Sequence, residues 1–500
     1  MKGEWLVYTA QVELKPKVKE FLEGKVELFI DGKYVPSVSG ETFETYNPAT
    51  EEVLALVSEA REEDVNLAVK AARRAFEKGE WPELSAAERA HLIYKLADLI
   101  EVNKEELAQL EALDNGKPYQ VALEDDIPAT VEHYRYYAGW ATKILGQTTP
   151  ISKDYLNYTR HEPIGVVGQI IPWNYPLVMS AWKMGAALAT GCTIVLKPAE
   201  QTPLSLQYTA QLFKEAGFPD GVVNFVPGFG QTAGAAIVNH HDIEKVAFTG
   251  STTTGKYIMR QAAETIKHVT LELGGKSPNI ILEDANLPEA ITGAFNGIMY
   301  NHGQNCSAGS RVFVHRTHYE KVVEELANLA NKVKLGPGME KETEMGPLVS
   351  KKQQERVLDY IEKGKAEGAR VAAGGGKMFE KGYFVQPTIF ADVTDDMIIA
   401  KEEIFGPVVA VLPFDTVEEA IERANNTPFG LAAGVWTENI KTAHKVANQL
   451  KAGTVWINDY NLEDAAAPFG GYKQSGIGRE MGSYALDNYT EVKSVWVNLK

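Results

Sequence analysis

Five hundred residues exceed what one ordinary hydrophobic core organises, so two or three domains are expected. An apolar fraction of 44% and a charged fraction of 23% describe an ordinary globular chain, and a net charge of −17 argues against nucleic acid or an anionic membrane surface as partner. Two cysteines, Cys192 and Cys306, cannot build a disulfide framework, and their scarcity fits a reducing cytosol.

The opening MKGEWLVYTAQVELKPKVKE has no apolar run between a basic end and a small-residue cleavage site, so no signal peptide is read there. LFIDGKYV places strand-forming residues on both sides of Asp31-Gly32, a strong two-residue hairpin signal. ETFETYNPATEEVLALV continues as strand and turn. From Glu62 the period changes, and Val65, Val69, Ala72 and Phe76 recur at helical spacing. Ser85-Ala-Ala-Glu88 is a capping box, with Leu92, Leu96, Leu99 and Ile100 on the face behind it. A further helix is expected over Ile127 to Ala141. Pro163 to Trp182 carries no charge over twenty residues, but Gln169, Pro172, Asn174 and Pro176 interrupt it. A buried strand followed by the start of a buried helix is the better reading.

Beyond Ile164 the texture becomes strand, turn, helix, repeated. IGVVGQII, CTIVLKP, VVNFVP and KVAFTG are β-branched runs suited to a parallel sheet buried on both faces. Cys192 opens one of them and reads as an inert core thiol. A second set runs from SPNIILED through VVAVLPF and AAGVWT to GTVWIND, with helices from Tyr319 to Val333 and from near Ser350. No repeat of 20–50 residues and no low-complexity linker is present. The tail YTEVKSVWVNLK alternates like a strand and could pair with another subunit.

Chemistry concentrates in YNHGQNCSAGSR, from Tyr300 to Arg311. Gly303 and Gly309 allow close approach of backbone to substrate, and Gln304, Asn305, Ser307 and Ser310 keep the loop polar around Cys306. Locally, an exposed nucleophile and a small buried hydrophobe are equally good readings of that thiol. Two glycine segments could hold phosphate. PGFGQTAG, with Gly228, Gly230 and Gly234, misses a dinucleotide fingerprint by one place. FTGSTTTGKY, with Gly250, Gly255 and Lys256, matches a triphosphate loop until Tyr257 replaces the needed hydroxyl, so a helix N-terminus holding a dinucleotide pyrophosphate is preferred. His302 with Cys306, and His240-His241-Asp242, do not complete a metal site. A cysteine hydrolase with a distant histidine stays open at this point.

Together these residues resemble the NAD(P)-dependent aldehyde dehydrogenase family, from about Glu27 to the C-terminus. IIPWNYP, TIVLKPAEQTP, FTGST, LELGGKSPNI, GQNCSAGSR, EEIFGPV and PFGGYKQSGIGRE stand in the family's order and spacing. The resemblance implies an α/β fold with a Rossmann-like cofactor domain (1–144 and 164–274), an α/β catalytic domain (275–474) and a small β oligomerisation element (145–163 and 475–500). It implies Cys306 as nucleophile, Glu272 as general base and Asn174, with the Cys306 backbone N–H, as oxyanion donor. For NAD it implies Trp173, Lys197, Glu200, Gly230, Gly250, Ser251, Gly255, Glu403 and Phe405. Tyr175, Trp182, Tyr300, Glu463 and Phe469 correspond to the substrate tunnel. A cytoplasmic homotetramer or homodimer acting on a small aldehyde is expected, with no metal, nucleic acid or membrane.

The chain departs from the family at Thr252, Thr253 and Thr254, on the adenine side, and at Asn461-Leu462-Glu463-Asp464, where relatives often place another aromatic. The aldehyde is therefore left as apolar, retinoid or cationic. A CoA-acylating relative is the rival enzyme, and a fold that has lost catalysis the rival non-enzyme. Glu272 as a base for water argues against the first, and the intact set of Cys306, Glu272 and Asn174 against the second.

Overall fold

The computed structural model describes residues 11–500, so residues 1–10 of the opening stretch read for a signal peptide lie outside the described residues. Two large sheets position the site. The first has eight strands in the order Gly476–Ile477, His268–Glu272, Lys245–Thr249, Val166–Ile170, Thr193–Lys197, Val223–Phe225, Leu28–Ile30 and Lys33–Val35. Its five inner strands are parallel, and antiparallel neighbours close both ends. The β-branched runs account for this, because parallel strands covered by helices on both faces need apolar residues at every position.

Chain order along this sheet reverses between Val166–Ile170 and Lys245–Thr249. The carboxyl ends of strands at such a switch point open onto a crevice. IIPWNYP follows the first strand and Gly250-Ser251 the second, so both family segments face that crevice. The second sheet runs Arg370–Ala373, Thr388–Ala391, Val408–Phe414, Arg311–His315, Pro278–Ile281, Ala432–Trp436 and Thr454–Ile457, parallel except at its first pair.

Local expectations largely hold. Asp31 and Gly32 take φ of 55° and 72°, as a twist-matched hairpin needs, with Ile30 opposite Lys33. Ser85 caps Ala86–Val102 and Glu88 returns the bond to the Ser85 N–H at 2.8 Å. The uncharged stretch becomes strand Val166–Ile170 and helix Pro176–Thr190, which is buried at every position and stops at Gly191 with φ 99°. No described helix is long and apolar enough to cross a membrane. Cys192 is fully buried, as read. The helices expected to reach Ala141 and Val333 end at Trp140 and Ala330.

The tail has a partner in its own chain. Thr490–Asn498 pairs antiparallel with Tyr155–Pro163 along nine residues, beside the short strand Thr148–Thr149. One edge of the tail strand is thus used internally, and its other edge has no described partner within the chain.

Candidate active site

The chain passes from the first sheet to the second through Leu273–Ser277, and the site is built around that crossing. Glu272 ends one strand and Pro278 begins the next. A Cβ on Gly274 would lie 2.3 Å from a Glu403 carboxylate oxygen, and one on Gly275 2.5 Å from the Cys306 carbonyl oxygen. The Gly275 N–H donates to Glu403 at 3.0 Å. Absent side chains therefore let the loops of Cys306 and Glu403 close onto the end of the Glu272 strand.

Cys306 is half-buried, on a loop reached through a short turn in which Asn301 and His302 take φ of 48° and 60°. Burial, then the carboxylates of Glu272, Glu403 and Glu463, raise its thiol well above the ordinary value. Asn174 is buried, and its Nδ2 donates to the Gln304 carbonyl at 3.0 Å, which ties it to the Cys306 loop. A side-chain amide has two N–H groups, so the second is free for an oxyanion. The sequence paired His302 with Cys306. His302 Nε2 instead accepts the Gly346 N–H at 3.1 Å, and burial lowers its pKa to about 3.

Glu272 is buried, and neither carboxylate oxygen has a hydrogen-bond partner among the described residues. Burial, followed by repulsion from Glu480, raises it well above the carboxylate range, while Lys183 and Arg479 oppose the shift. Lys183 and Glu480 form a fully buried ion pair, and Lys183 also donates to Thr249 Oγ1 at 2.6 Å. Sequence reading missed this pair. The available signal was Lys183 itself, a single cation in the apolar helix PLVMSAWKMGAALAT.

The cofactor residues gather around the crevice. Lys197 is buried, donates to the Pro198 carbonyl at 2.7 Å and stands 3.4 Å from the partly exposed Glu200 carboxylate. Ser251 caps helix Thr252–Ala262, whose first N–H groups open toward the crevice. A Cβ on Gly230 would meet nothing within 4 Å. Gly250 and Gly255 are required by packing, since a Cβ would come within 2.5 Å of the Phe248 ring and 2.6 Å of Leu273. Phe405, at φ 63°, stands edge-on to Trp173 with centroids 5.2 Å apart. Burial raises Glu403 to about 7. Lys256 turns away from any phosphate and donates to Gln474 at 2.8 Å. A helix N-terminus for pyrophosphate and a carboxylate beside an ammonium for a ribose diol fit a nicotinamide dinucleotide.

The residues expected to line a substrate tunnel have mixed surroundings. Trp182 packs between Phe469 and His133, with centroids at 5.3 and 5.9 Å. One face of Tyr175 is taken by the Lys117 ammonium, 4.7 Å from its centroid. The Tyr300 hydroxyl donates to Asp125 at 3.1 Å. Glu463 is exposed by surface area, yet burial of its carboxyl, with help from Asp126, raises it to about 7. Its charge is felt at Tyr175, Tyr300 and Cys306, so it lies toward the nucleophile.

Residues 34–495 match the model of the Aldehyde dehydrogenase family. The Bacillus subtilis (strain 168) protein DhaS is 64% identical, over 98% of this chain and 99% of its own. The mitochondrial aldehyde dehydrogenase of Homo sapiens is 53% identical, over 95% of this chain and 92% of its own. The structure of an aldehyde dehydrogenase from Bacillus cereus in complex with NAD+ superposes with a TM-score of 0.98 at 81% identity, covering 98% of this chain and all of that one.

The two thiols should separate chemically. Iodoacetamide on the native protein should label Cys306 and leave Cys192 untouched until the chain is denatured, as read by peptide mass spectrometry. Because the Cys306 thiol is raised, its labelling should climb with pH beyond pH 9 without a plateau. Labelling of Cys192 first would contradict the assigned environments.

Proposed function

The chain belongs to the aldehyde dehydrogenase family, and from that premise we propose which residues carry the reaction, which aldehydes it takes and how it is assembled. The enzyme oxidises an aldehyde to the carboxylic acid with NAD, through a cysteine thiohemiacetal and thioester. When bound, NAD supplies the hydride acceptor.

Cys306 is the nucleophile in this reading, its thiol proton passing to solvent so that the thiolate attacks. Its attack places a new negative charge on the former carbonyl oxygen. The free N–H of Asn174, with the Cys306 backbone N–H, stabilises that charge, and such donors are worth roughly 3–4 kcal/mol each in comparable sites. Glu272 then takes a proton from the water that hydrolyses the thioester. The observation that carries its role is a buried carboxylate with both oxygens unpartnered and its pKa raised, which suits a base near neutral pH. Lys197 and Glu200 would hold the adenosine ribose, Gly230, Gly250, Ser251 and Gly255 the pyrophosphate turn, and Trp173, Glu403 and Phe405 the nicotinamide end. The cofactor-binding, catalytic and oligomerisation units follow the first, second and three-stranded sheets in turn, with Gly476–Ile477 added to the first. The free edge of Thr490–Asn498, with Trp496 and Val492 exposed, supports a homo-oligomer, dimer or tetramer. A reduced Cys306 as catalyst fits a cytoplasmic location.

For the substrate, Tyr175, Trp182, Tyr300 and Phe469 provide apolar walls, and Glu463 and Asp125 bring carboxylates to the same region. The nearby cation, Lys117, is occupied by Asp126 and Glu111. An apolar or cationic aldehyde fits these walls, and an aldehyde bearing a carboxylate does not.

Three measurements test the reading. Glu272→Gln should keep a stopped-flow burst near one reduced cofactor per site and lose the steady rate, whereas loss of both would place Glu272 earlier in the reaction. In wild type the steady rate should fall on acidification through a pKa above the carboxylate range, since protonation removes the base. Glu480→Gln removes a like charge and should move that limb to lower pH.

Cofactor choice rests on Glu200, which accepts from a ribose 2′-hydroxyl and repels a 2′-phosphate, so NAD should be preferred over NADP. Glu200→Gln should narrow the gap in kcat/KM. An NADP preference in wild type would contradict the assignment.

Substrate charge is tested by comparing betaine aldehyde with its neutral isostere 3,3-dimethylbutanal and with succinic semialdehyde. The anionic aldehyde should be poorest. The cationic one should gain on the neutral one as pH rises and Glu463, raised by burial, loses its proton. Glu463→Gln should flatten both trends, and a better rate with the anionic aldehyde would sink the proposal.

A further inference from the structure

The carbonyl oxygen of Asn174 accepts three N–H donors from two separate stretches of chain. Asn301 Nδ2 lies at 3.1 Å, the Lys117 ammonium at 3.2 Å and Asn115 Nδ2 at 3.4 Å. A peptide oxygen has two lone pairs, so this one is fully engaged, and one of its bonds is charge-assisted. Asn115 Nδ2 also donates to the Trp173 carbonyl at 2.7 Å, so two successive peptide groups are gripped. Asn301 reaches the other way as well, its Nδ2 donating to the Gln304 carbonyl at 3.1 Å. That oxygen also takes one N–H of the Asn174 side chain, at 3.0 Å. A single amide group thus ties the Asn174 peptide to the loop of Cys306.

The donors are themselves fixed. Lys117 is fully buried, paired with Asp126 and 3.7 Å from Glu111. Asn115 and Lys117 flank Gly116, at φ 90°, where a Cβ would lie 2.7 Å from the ring of Pro48 and 2.9 Å from that of Pro347. Asn301 takes the left-handed φ of 48°, which asparagine tolerates better than most residues. Glycine would accept that backbone but bring no donor, and aspartate would bring only acceptors. The position needs both the backbone and the amide.

We propose that Asn301, together with Lys117 and Asn115, is a positioning residue for the oxidation, holding Asn174 so that its second side-chain N–H aims at the thiohemiacetal oxygen. The inference rests on Asn174 being the oxyanion donor. The clamp touches neither substrate nor cofactor in this role and acts through Asn174, directly and by way of the Gln304 carbonyl that the Asn174 side chain shares. Misplacing a reacting group by about 1 Å costs roughly a hundredfold in rate.

The test is a double-mutant cycle on the burst of NADH formation in the full-length enzyme. Asn301→Gly keeps the backbone conformation and removes the donor. It should slow the burst roughly ten- to a hundredfold, while NAD affinity and iodoacetamide labelling of Cys306 stay within about twofold. Added to Asn174→Ala, it should cause no further loss, because nothing remains to position. If Asn301→Gly does not fold, Lys117→Gln with Asp126→Asn removes the charged donor without stranding its main carboxylate partner and carries the same cycle. Losses that multiply in the double variant would overturn the clamp while leaving the Asn174 role intact. A wild-type burst in Asn174→Ala would instead sink the oxyanion reading, and the clamp with it.

Discussion

The active centre depends on the bare backbone of Gly274 and Gly275. The proposed base, nucleophile and nicotinamide contact come from three remote stretches, and they meet because no side chain projects from Gly274 or Gly275 at the crossing between the sheets. With a Cβ on Gly275 only 2.5 Å from the Cys306 carbonyl the Cys306 loop would have to withdraw, and with one on Gly274 2.3 Å from the Glu403 carboxylate that side chain would have to move aside. The sheets explain why the crossing must be short. Glu272 is held in register with Thr249 in one sheet and Pro278 with Arg311 in the other, so Leu273–Ser277 has little slack. Two frames joined by a short link fix where Glu272 lies, and the loops of Cys306, Asn174 and Glu403 pack onto that fixed end.

The same crevice holds charges that burial alone would suppress. A lone carboxylate taken from water shifts toward its neutral form, each pKa unit representing about 1.4 kcal/mol. Glu272 would be a poor base at either extreme. Paired directly with Lys183 it would be held ionised and weakly basic, and with no cation nearby it would stay protonated through the working range. The ion pair of Lys183 with Glu480 avoids the first extreme. Glu480 takes the ammonium for itself, so Glu272 feels both charges at a distance, one raising and one lowering its pKa. The arrangement costs stability, since a buried pair rarely recovers its desolvation.

Features set by neighbours in sequence were legible before the structure. Asp31-Gly32, the Ser85 cap and the parallel runs each follow from local backbone preference or two-faced burial. Cys306, Glu272 and Asn174 were reached through resemblance, since nothing within VTLEL distinguishes a base from an ordinary strand-end acid. Their geometry came from elsewhere in the chain. Lys183 and Glu480 are 297 positions apart, and Lys117 and Asn174 57 apart, so no window of sequence contains either relation. Tyr175 shows the limit in another way. Its aromatic character was read correctly, but the cation on its face could be found only from the fold. The tail was read as a strand from its alternation, while its partner, Tyr155–Pro163, is a matter of topology.

Two halves of the site are built on opposite principles, and the chemistry explains why. On the proposed oxyanion side, the two carbonyl oxygens that hold Asn174 in place are saturated. The Asn174 carbonyl has three donors and the Gln304 carbonyl two, so the stabilising N–H has little freedom before substrate arrives. Attack by the thiolate gains from this, because donors already in place need no reorganisation as charge develops. On the base side, polar atoms are left open, with both oxygens of Glu272 and one of Glu480 unpartnered among the described residues. A carboxylate that must collect a proton from water and then release it cannot be saturated, since each fixed donor would lower its basicity. Rigidity on one side and unsatisfied acceptors on the other therefore follow from a single demand, that one pocket stabilise an anion in the first step and make a nucleophile of water in the second.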